Sequence, residues 1–252
     1  MAMVLEICVD SLASARAAIA GGADRLELCS ALAVGGLTPY RELLMQIRAE
    51  SNIPIRCLMR PRAGDFLYAP EEIDMMAAQI QALKETGADG FVIGCLTRDG
   101  SLDPEAMQPL IDAACGAGLT LHRCIDVSRD PLRTYQQAAA LGIDTILTSG
   151  CAANCRAGME TIGQLFQYRA THGGPEILIG AGVNAKTITA FRNRFPEATA
   201  FHLSGKTEIE SSMAFRREGV PMGLPGLDEW HIQQTSQDAV RMAWDALYHS
   251  GI

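Results

Sequence analysis

A single closed (β/α)8 TIM barrel, one domain over 1–252, is the fold this chain predicts, and three observations carry the prediction. First, eight short apolar segments alternate with helical patterns along 252 residues, whereas an open doubly wound sheet usually stops at about six strands. Second, the echoes Gly22-Ala-Asp, Gly87-Ala-Asp and Gly142-Ile-Asp each put a glycine where a helix must end and an aspartate where an apolar strand opens. Third, the first strand runs into Cys8-Val-Asp-Ser-Leu with no glycine-rich turn, which argues against a dinucleotide fold and predicts no nucleotide cofactor.

In chain order, strands are expected at 4–9, 24–28, 55–59, 90–94, 119–122, 144–148, 176–180 and 200–203. Helical patterns fill the gaps at 11–20, 40–49, 71–85, 104–114, 132–141, 156–171 and 185–194, with a last helix at 236–248. The clearest unit is central: an apolar run reaches His122, Arg123 and Asp126, and Asp130-Pro131 then supplies a cap residue and a proline for the first helical position. One long loop is expected at 218–230, after the eighth strand, where Gly219, Pro221, Gly223, Pro225 and Gly226 cluster.

A formal net charge of -8 and no basic run argue against nucleic-acid binding and favour a small-molecule partner. No apolar run approaches the ~20 residues that span a bilayer, and Met-Ala-Met-Val-Leu-Glu has no basic leader, so no membrane partner and a cytoplasmic location are expected. The eight cysteines are expected as reduced thiols, with Cys8, Cys29, Cys57 and Cys115 in apolar segments; Cys151 and Cys155 lack zinc-knuckle spacing. Met75, Met76 and Met107, at helical spacings, are expected in the core.

Barrel enzymes place their chemistry at the carboxyl ends of the strands. Side chains alternate along a strand, so Glu6 and Cys8 share one face and Glu27 and Cys29 another. A carboxylate among leucines and isoleucines is costly against the helix layer, which turns both pairs toward the barrel mouth. Arg60-Pro-Arg62-Ala-Gly-Asp65-Phe66 can clamp an anionic or polyhydroxylated ligand. His122, Arg123 and Asp126 follow the fifth strand and Ser149 the sixth. Gly180 and Gly182 follow the seventh, and His202 and Ser204 end the eighth, where turns of many barrels cradle phosphate with backbone N–H groups. The same charges admit a structural reading in which Glu6 and Glu27 pair with Arg60 and Arg123. Convergence of polar groups from at least five strands favours a ligand site, with Glu6, Glu27, Arg60, His122 and His202 in one cavity.

Over nearly its whole length the chain resembles the CutC copper homeostasis family. The motifs are Glu27-Leu-Cys, Gly35-Gly-Leu-Thr-Pro39, Arg60-Pro-Arg-x-Gly-Asp-Phe66, His122-Arg with Asp126, Leu147-Thr-Ser-Gly150 and Gly180-Ala-Gly-Val183. The resemblance implies a cytoplasmic, homo-oligomeric barrel linked to copper, with Cu(I) on thiols at the positions of Cys8 and Cys29. His202-Leu-Ser-Gly departs from the family pattern, and Cys57 and Cys95 lie outside it.

Two function classes follow. One is a Cu(I)-binding protein with Cys8 and Cys29 as soft ligands. The other is an enzyme on a small anionic or sugar-like metabolite: Glu6 or Glu27 as acid or base, His122 as partner, Arg60, Arg62 and Arg123 holding the anion, and Asp65 or Asp126 orienting them. Three arginines and two carboxylates around the thiols slightly favour the enzyme on physical grounds; the family resemblance favours copper.

Overall fold

The computed structural model describes residues 3–217, 219, 220, 222, 223 and 229–249. Eight parallel strands close into one barrel in the order β1 to β8: β1 (Val4–Val9), β2 (Arg25–Leu28), β3 (Ile55–Leu58), β4 (Gly90–Ile93), β5 (Gly118–Leu121), β6 (Thr145–Thr148), β7 (Glu176–Ile179) and β8 (Ala200–Leu203). The helices between them are α1 (Leu12–Gly21), α2 (Arg41–Glu50), α3 (Pro70–Glu85), α4 (Pro104–Ala114), α5 (Pro131–Ala140), α6 (Met159–His172) and α7 (Ala185–Arg194), and α8 (Gln237–Tyr248) ends the set. Strand bounds differ from the sequence expectation by at most a residue at either end, and α6 starts three residues later than expected. No described helix is long and apolar enough to cross a membrane.

The helix starts follow from their caps. Ser11, Asp103, Asp130, Asn184 and Ser236 each accept a hydrogen bond from the backbone N–H of the third residue of the helix that follows. The three glycine–aspartate echoes also have a common cause. Asp24, Asp89 and Asp144 open β2, β4 and β6, and their carboxylates accept from the N–H groups of Leu5, Ile55 and Leu119 on the preceding strand at 2.7, 2.8 and 2.7 Å. Their own N–H groups donate to the carbonyls of those same residues. Each aspartate thus satisfies the amino end of one strand with the next, while Gly22, Gly87 and Gly142 turn the chain at φ 101°, 105° and 77°.

Alternation sorts the strand residues. Leu5, Ile7, Val9, Leu26, Leu28, Phe91, Ile93, Ile146, Ile177 and Phe201 join the main core between sheet and helices. The barrel interior holds two small apolar clusters, Cys29–Leu58–Val92 and Leu147–Leu178–Ala200, among charged groups. Arg56 crosses the lower interior to Thr120 and Thr145 at 2.6 and 3.2 Å and to Asp144 at 2.7 Å. Gly118 leaves it room, since a Cβ there would stand 2.8 Å from the Arg56 guanidinium.

Two expectations are corrected, and one element has no counterpart in the sequence reading. Met75 is exposed on α3 while Met76 and Met107 are buried, because the helical stripe that faces the sheet excludes it. Cys115 is exposed at the left-handed cap of α4, φ 47°. After β8 the chain forms an exposed antiparallel ribbon, β9 (Lys206–Glu210) with β10 (His231–Thr235), tied to α1 by Thr235 N–H on Ser14 Oγ at 3.1 Å. Its polar residues gave no apolar alternation to read. Of the expected loop at 218–230, residues 218, 221 and 224–228 lie outside the described residues. All eight cysteines are free, and six of them are buried.

Candidate functional site at the carboxyl end of the barrel

Register brings the site together before any side chain is considered. Cys8 on β1 stands opposite Glu27 on β2, and Glu6 is flanked by Arg25 on β2 and His202 on β8. All five residues therefore point inward in two neighbouring layers. Glu6, the deeper, is fully buried. One of its oxygens takes Arg25 Nε at 2.5 Å and the other meets His202 Nδ1 at 2.8 Å. The structural pairing expected from sequence joined Glu6 to Arg60 or Arg123. The structure replaces it, since Arg25 is the directly facing residue on the adjacent strand and the other two arginines rise from loops above.

One layer up, the Cys8 thiol, a Glu27 oxygen and a His202 ring nitrogen lie within 4.8 Å of one another, and all three residues are buried. His202 Nε2 is 3.8 Å from Glu27 Oε2. Burial works against charge on Glu6, but Arg25 and His202 overcome it and hold the carboxyl at about 2. Glu27 has no hydrogen bond among the described residues: burial pushes it up to about 7, and the His202 charge at 3.8 Å only partly opposes this. Burial disfavours the His202 cation too, yet neighbouring Cys8, Glu27 and Glu6 raise the ring well above the ordinary histidine range. Two carboxylates 21 positions apart thus diverge, one locked as a charge and the other poised near neutrality.

Above this cluster opens a cavity of about 650 Å³ lined by Cys8, Glu27, Arg60, His122, Arg123, Asp126, Gly182, His202, Ser204 and Lys206, with Phe66, Leu147 and Val183 as apolar walls. Four of the five residues expected in one cavity line it. Glu6 does not, being sealed below His202. Arg60 is mostly buried, its guanidinium donating to the carbonyls of Val34, Gly36 and Gly64 at 2.9, 3.0 and 3.0 Å. Arg62 turns away to Glu72 and Asp65, and Asp65 is itself exposed. Asp126 accepts from Thr148 Oγ1 and from the N–H groups of Ser149 and Cys151, while Arg123 bridges Asp126 and Ser149. Ser149 is fully buried behind that bridge. Gly182 lines the cavity at φ 74° next to Ala181 at φ 67°, whereas Gly180 packs against Leu147, which a Cβ would strike at 2.6 Å.

Cys29 points inward but sits in the cluster with Leu58 and Val92. Its thiol donates to the Val9 carbonyl at 3.4 Å, and burial raises it well above the ordinary thiol range. Cys151 is exposed and Cys155 buried, and neither joins the Cys8 cluster. Sequence reasoning passed over Arg25 and Lys206. Alternation alone could have found Arg25, two positions before Glu27 and so on the same face; Lys206 gave no periodic signal.

A family model described as the CutC family matches residues 3–207. A family protein CutC from Porphyromonas gingivalis is 42% identical over 248 residues, 98% of this chain and 99% of that protein. One from Vibrio campbellii is 39% identical over 238 residues, 94% of this chain and 95% of that protein. Among solved structures, CutC from Streptococcus agalactiae, named as a copper homeostasis protein, superposes with a TM-score of 0.74 at 29% identity, covering 80% of this chain and 98% of that one. The 3-hexulose-6-phosphate synthase of Salmonella typhimurium shares the fold alone, with a TM-score of 0.59 at 13% identity over 99% of this chain and 100% of that one.

Proposed function

Since the chain belongs to the CutC family, we propose that it takes a thiophilic metal ion as cargo, cuprous copper foremost, at Cys8, His202 and Glu27. The observation that carries this reading is the convergence of those three donor atoms within 4.8 Å at the barrel mouth. A thiolate and an imidazole are the donors a soft cuprous ion prefers, with the carboxylate as a weaker third. Glu6 on His202 Nδ1 fixes the ring and leaves Nε2 as the coordinating nitrogen once the incoming ion displaces its proton, the outer-shell arrangement that metal-binding histidines use. Cys29 supplies a second thiolate only by leaving the Val9 carbonyl and losing its proton, which its burial opposes.

An anaerobic Cu(I) titration against a chromophoric chelator tests the reading. One ion per chain is expected, with affinity reduced on the order of a hundredfold in Cys8→Ser and in His202→Gln and little changed in Cys29→Ser. Full-strength binding by a protein carrying both Cys8→Ser and Cys29→Ser would sink it. The same proposal holds the protein to be a cytoplasmic homo-oligomer. The exposed pair Ile209 and Ile232 on the ribbon, with Phe215 nearby in sequence, supports self-association, and light scattering that returns a monomer mass would count against it.

A second reading rests on the cavity. A space of about 650 Å³ is of the size that holds a small metabolite, far more than an ion fills. In that reading the protein is an enzyme on a small anionic or sugar-like, including phosphorylated, metabolite. Glu27 is the acid or base, His202 and Asp126 position the reacting groups, and Arg60 and Arg123 hold the anion. A melting-temperature screen should find a metabolite that stabilises the protein by about 2.7 kcal/mol at a hundredfold excess over Kd. Glu27→Gln should keep that gain and lose product formation; an anionic panel without a hit would leave the copper reading alone.

A further inference from the structure

Two buried N–H donors beside the cavity have no acceptor among the described residues: His122 Nε2 and Arg60 Nε. Both side chains line the cavity, and both flank Phe66. The His122 ring lies 4.6 Å from the Phe66 ring, and the Arg60 guanidinium 5.4 Å from the same centroid. The backbone decides the state of His122. Cys124 N–H donates to His122 Nδ1 at 3.1 Å, so Nδ1 is the acceptor and the proton sits on Nε2. Burial, with Arg60 close by, lowers the ring to about 3, so it stays neutral wherever the protein is folded near neutrality. A buried donor left unmade costs about 1–3 kcal/mol, and native proteins leave few of them. Two against one cavity wall mark a place where an acceptor belongs.

We propose that this wall is the subsite for a small organic anion that presents a carbonyl or carboxylate oxygen to His122 Nε2–H, with Arg60 Nε–H as the second donor. A neutral imidazole fixed as a donor suits an sp² oxygen, because it can polarise that oxygen without having a spare proton to lose. The remainder of the ligand has cations to meet: Arg123 and Lys206 line the same cavity. Phe66 and Val183 offer apolar surface to a short carbon skeleton. The inference rests on the metabolite reading of the cavity and not on the copper reading, since neither donor belongs to the Cys8 cluster.

The test uses metal-free full-length protein labelled with ¹⁵N-histidine, and pyruvate, malonate and 2-oxoglutarate as probes. Before any probe is added, the His122 ring should show the Nε2–H tautomer, unchanged from pH 6 to pH 8. A binding probe should move the Nε2–H proton downfield in a saturable way. His122→Phe, which keeps a ring against Phe66 and removes the donor, should weaken that probe about ten- to a hundredfold; His122→Gln, which restores a donor, should recover part of the loss. Because the His122 ring packs on Gly94, where a Cβ would stand 2.5 Å from it, the tautomer and the shift in the unsubstituted protein stand as readouts of their own. A probe that binds without moving the Nε2–H resonance, or with equal affinity in the wild type and both variants, overturns this subsite and leaves the metabolite reading standing. No binding by any of the three at millimolar concentration, or a ring found as the Nδ1–H tautomer, overturns the subsite alone; the metabolite reading falls only if the wider anionic and phosphorylated panel also gives no hit.

Discussion

The two ends of the barrel treat charge in opposite ways. At the amino-terminal end Asp24, Asp89 and Asp144 each accept from a strand N–H. Arg48 there caps the carbonyls of Gly87 and Ile53 and pairs with Asp89, and Arg56 reaches Asp144 and two threonines. Polar groups at this end complete one another. At the carboxyl-terminal end His122 and Arg60 keep N–H donors without acceptors among the described residues, and Glu27 is buried with its carboxyl at about 7. Charge that is fully partnered holds strands in register; charge left open is retained against its cost, and that contrast is what the two ligand readings proposed above rest on. Glu6 marks the boundary, since it is completely satisfied and yet serves the open end by orienting His202.

The largest expected effect sharpens that boundary. Arg25→Ala strands the fully buried Glu6 charge and should destabilise the protein by about 3–5 kcal/mol in urea unfolding. An unchanged midpoint would mean that Glu6 does not depend on its facing strand. The same group sets an acid limit. Its folded carboxyl is held at about 2, below its ordinary 4.5. The stability it contributes is therefore present above the ordinary value and is lost as pH falls from about 5 toward 2, on the order of 3 kcal/mol. Wild type should show this loss, and Glu6→Gln should flatten it.

Glu27 should give the opposite sign. Its folded carboxyl lies near 7, above its ordinary 4.5, so the unfolded chain releases the proton first and stability falls as pH rises from about 4.5 to 7. In metal-free protein Glu27→Gln should be more stable than wild type at pH 8 by roughly 1–3 kcal/mol, and close to it at pH 4. Thermal melts at the two pH values decide this; a variant less stable at pH 8 would show Glu27 to be a partnered structural charge like Glu6. The smallest effect belongs to Arg62, whose exposed pairing with Asp65 and Glu72 lies off the cavity. Arg62→Ala should cost less than about 1 kcal/mol and leave binding of any cavity ligand unchanged. Weakened ligand binding in that variant would return Arg62 to the clamp its motif suggests.

The sequence by itself determined the barrel, its eight strands and the inward direction of Glu6, Cys8, Glu27 and Cys29, because alternation, caps and glycine–aspartate joints are local rules written within a few residues of one another. It also brought His122, Arg60 and His202 to one mouth, since a closed barrel gathers every strand end. Only the tertiary structure decided who pairs with whom. His202 reaches Glu6 across 196 positions through the closure of β1 on β8, Arg62 turns to a helix and Arg60 to loop carbonyls, and Cys29 gives its thiol to Val9 while Cys8 joins Glu27 and His202. The ribbon after β8 and the open donor on His122 have the same origin. Periodicity says which way a side chain points, whereas its partner depends on distances between segments far apart in the chain, and those exist only once the barrel has closed.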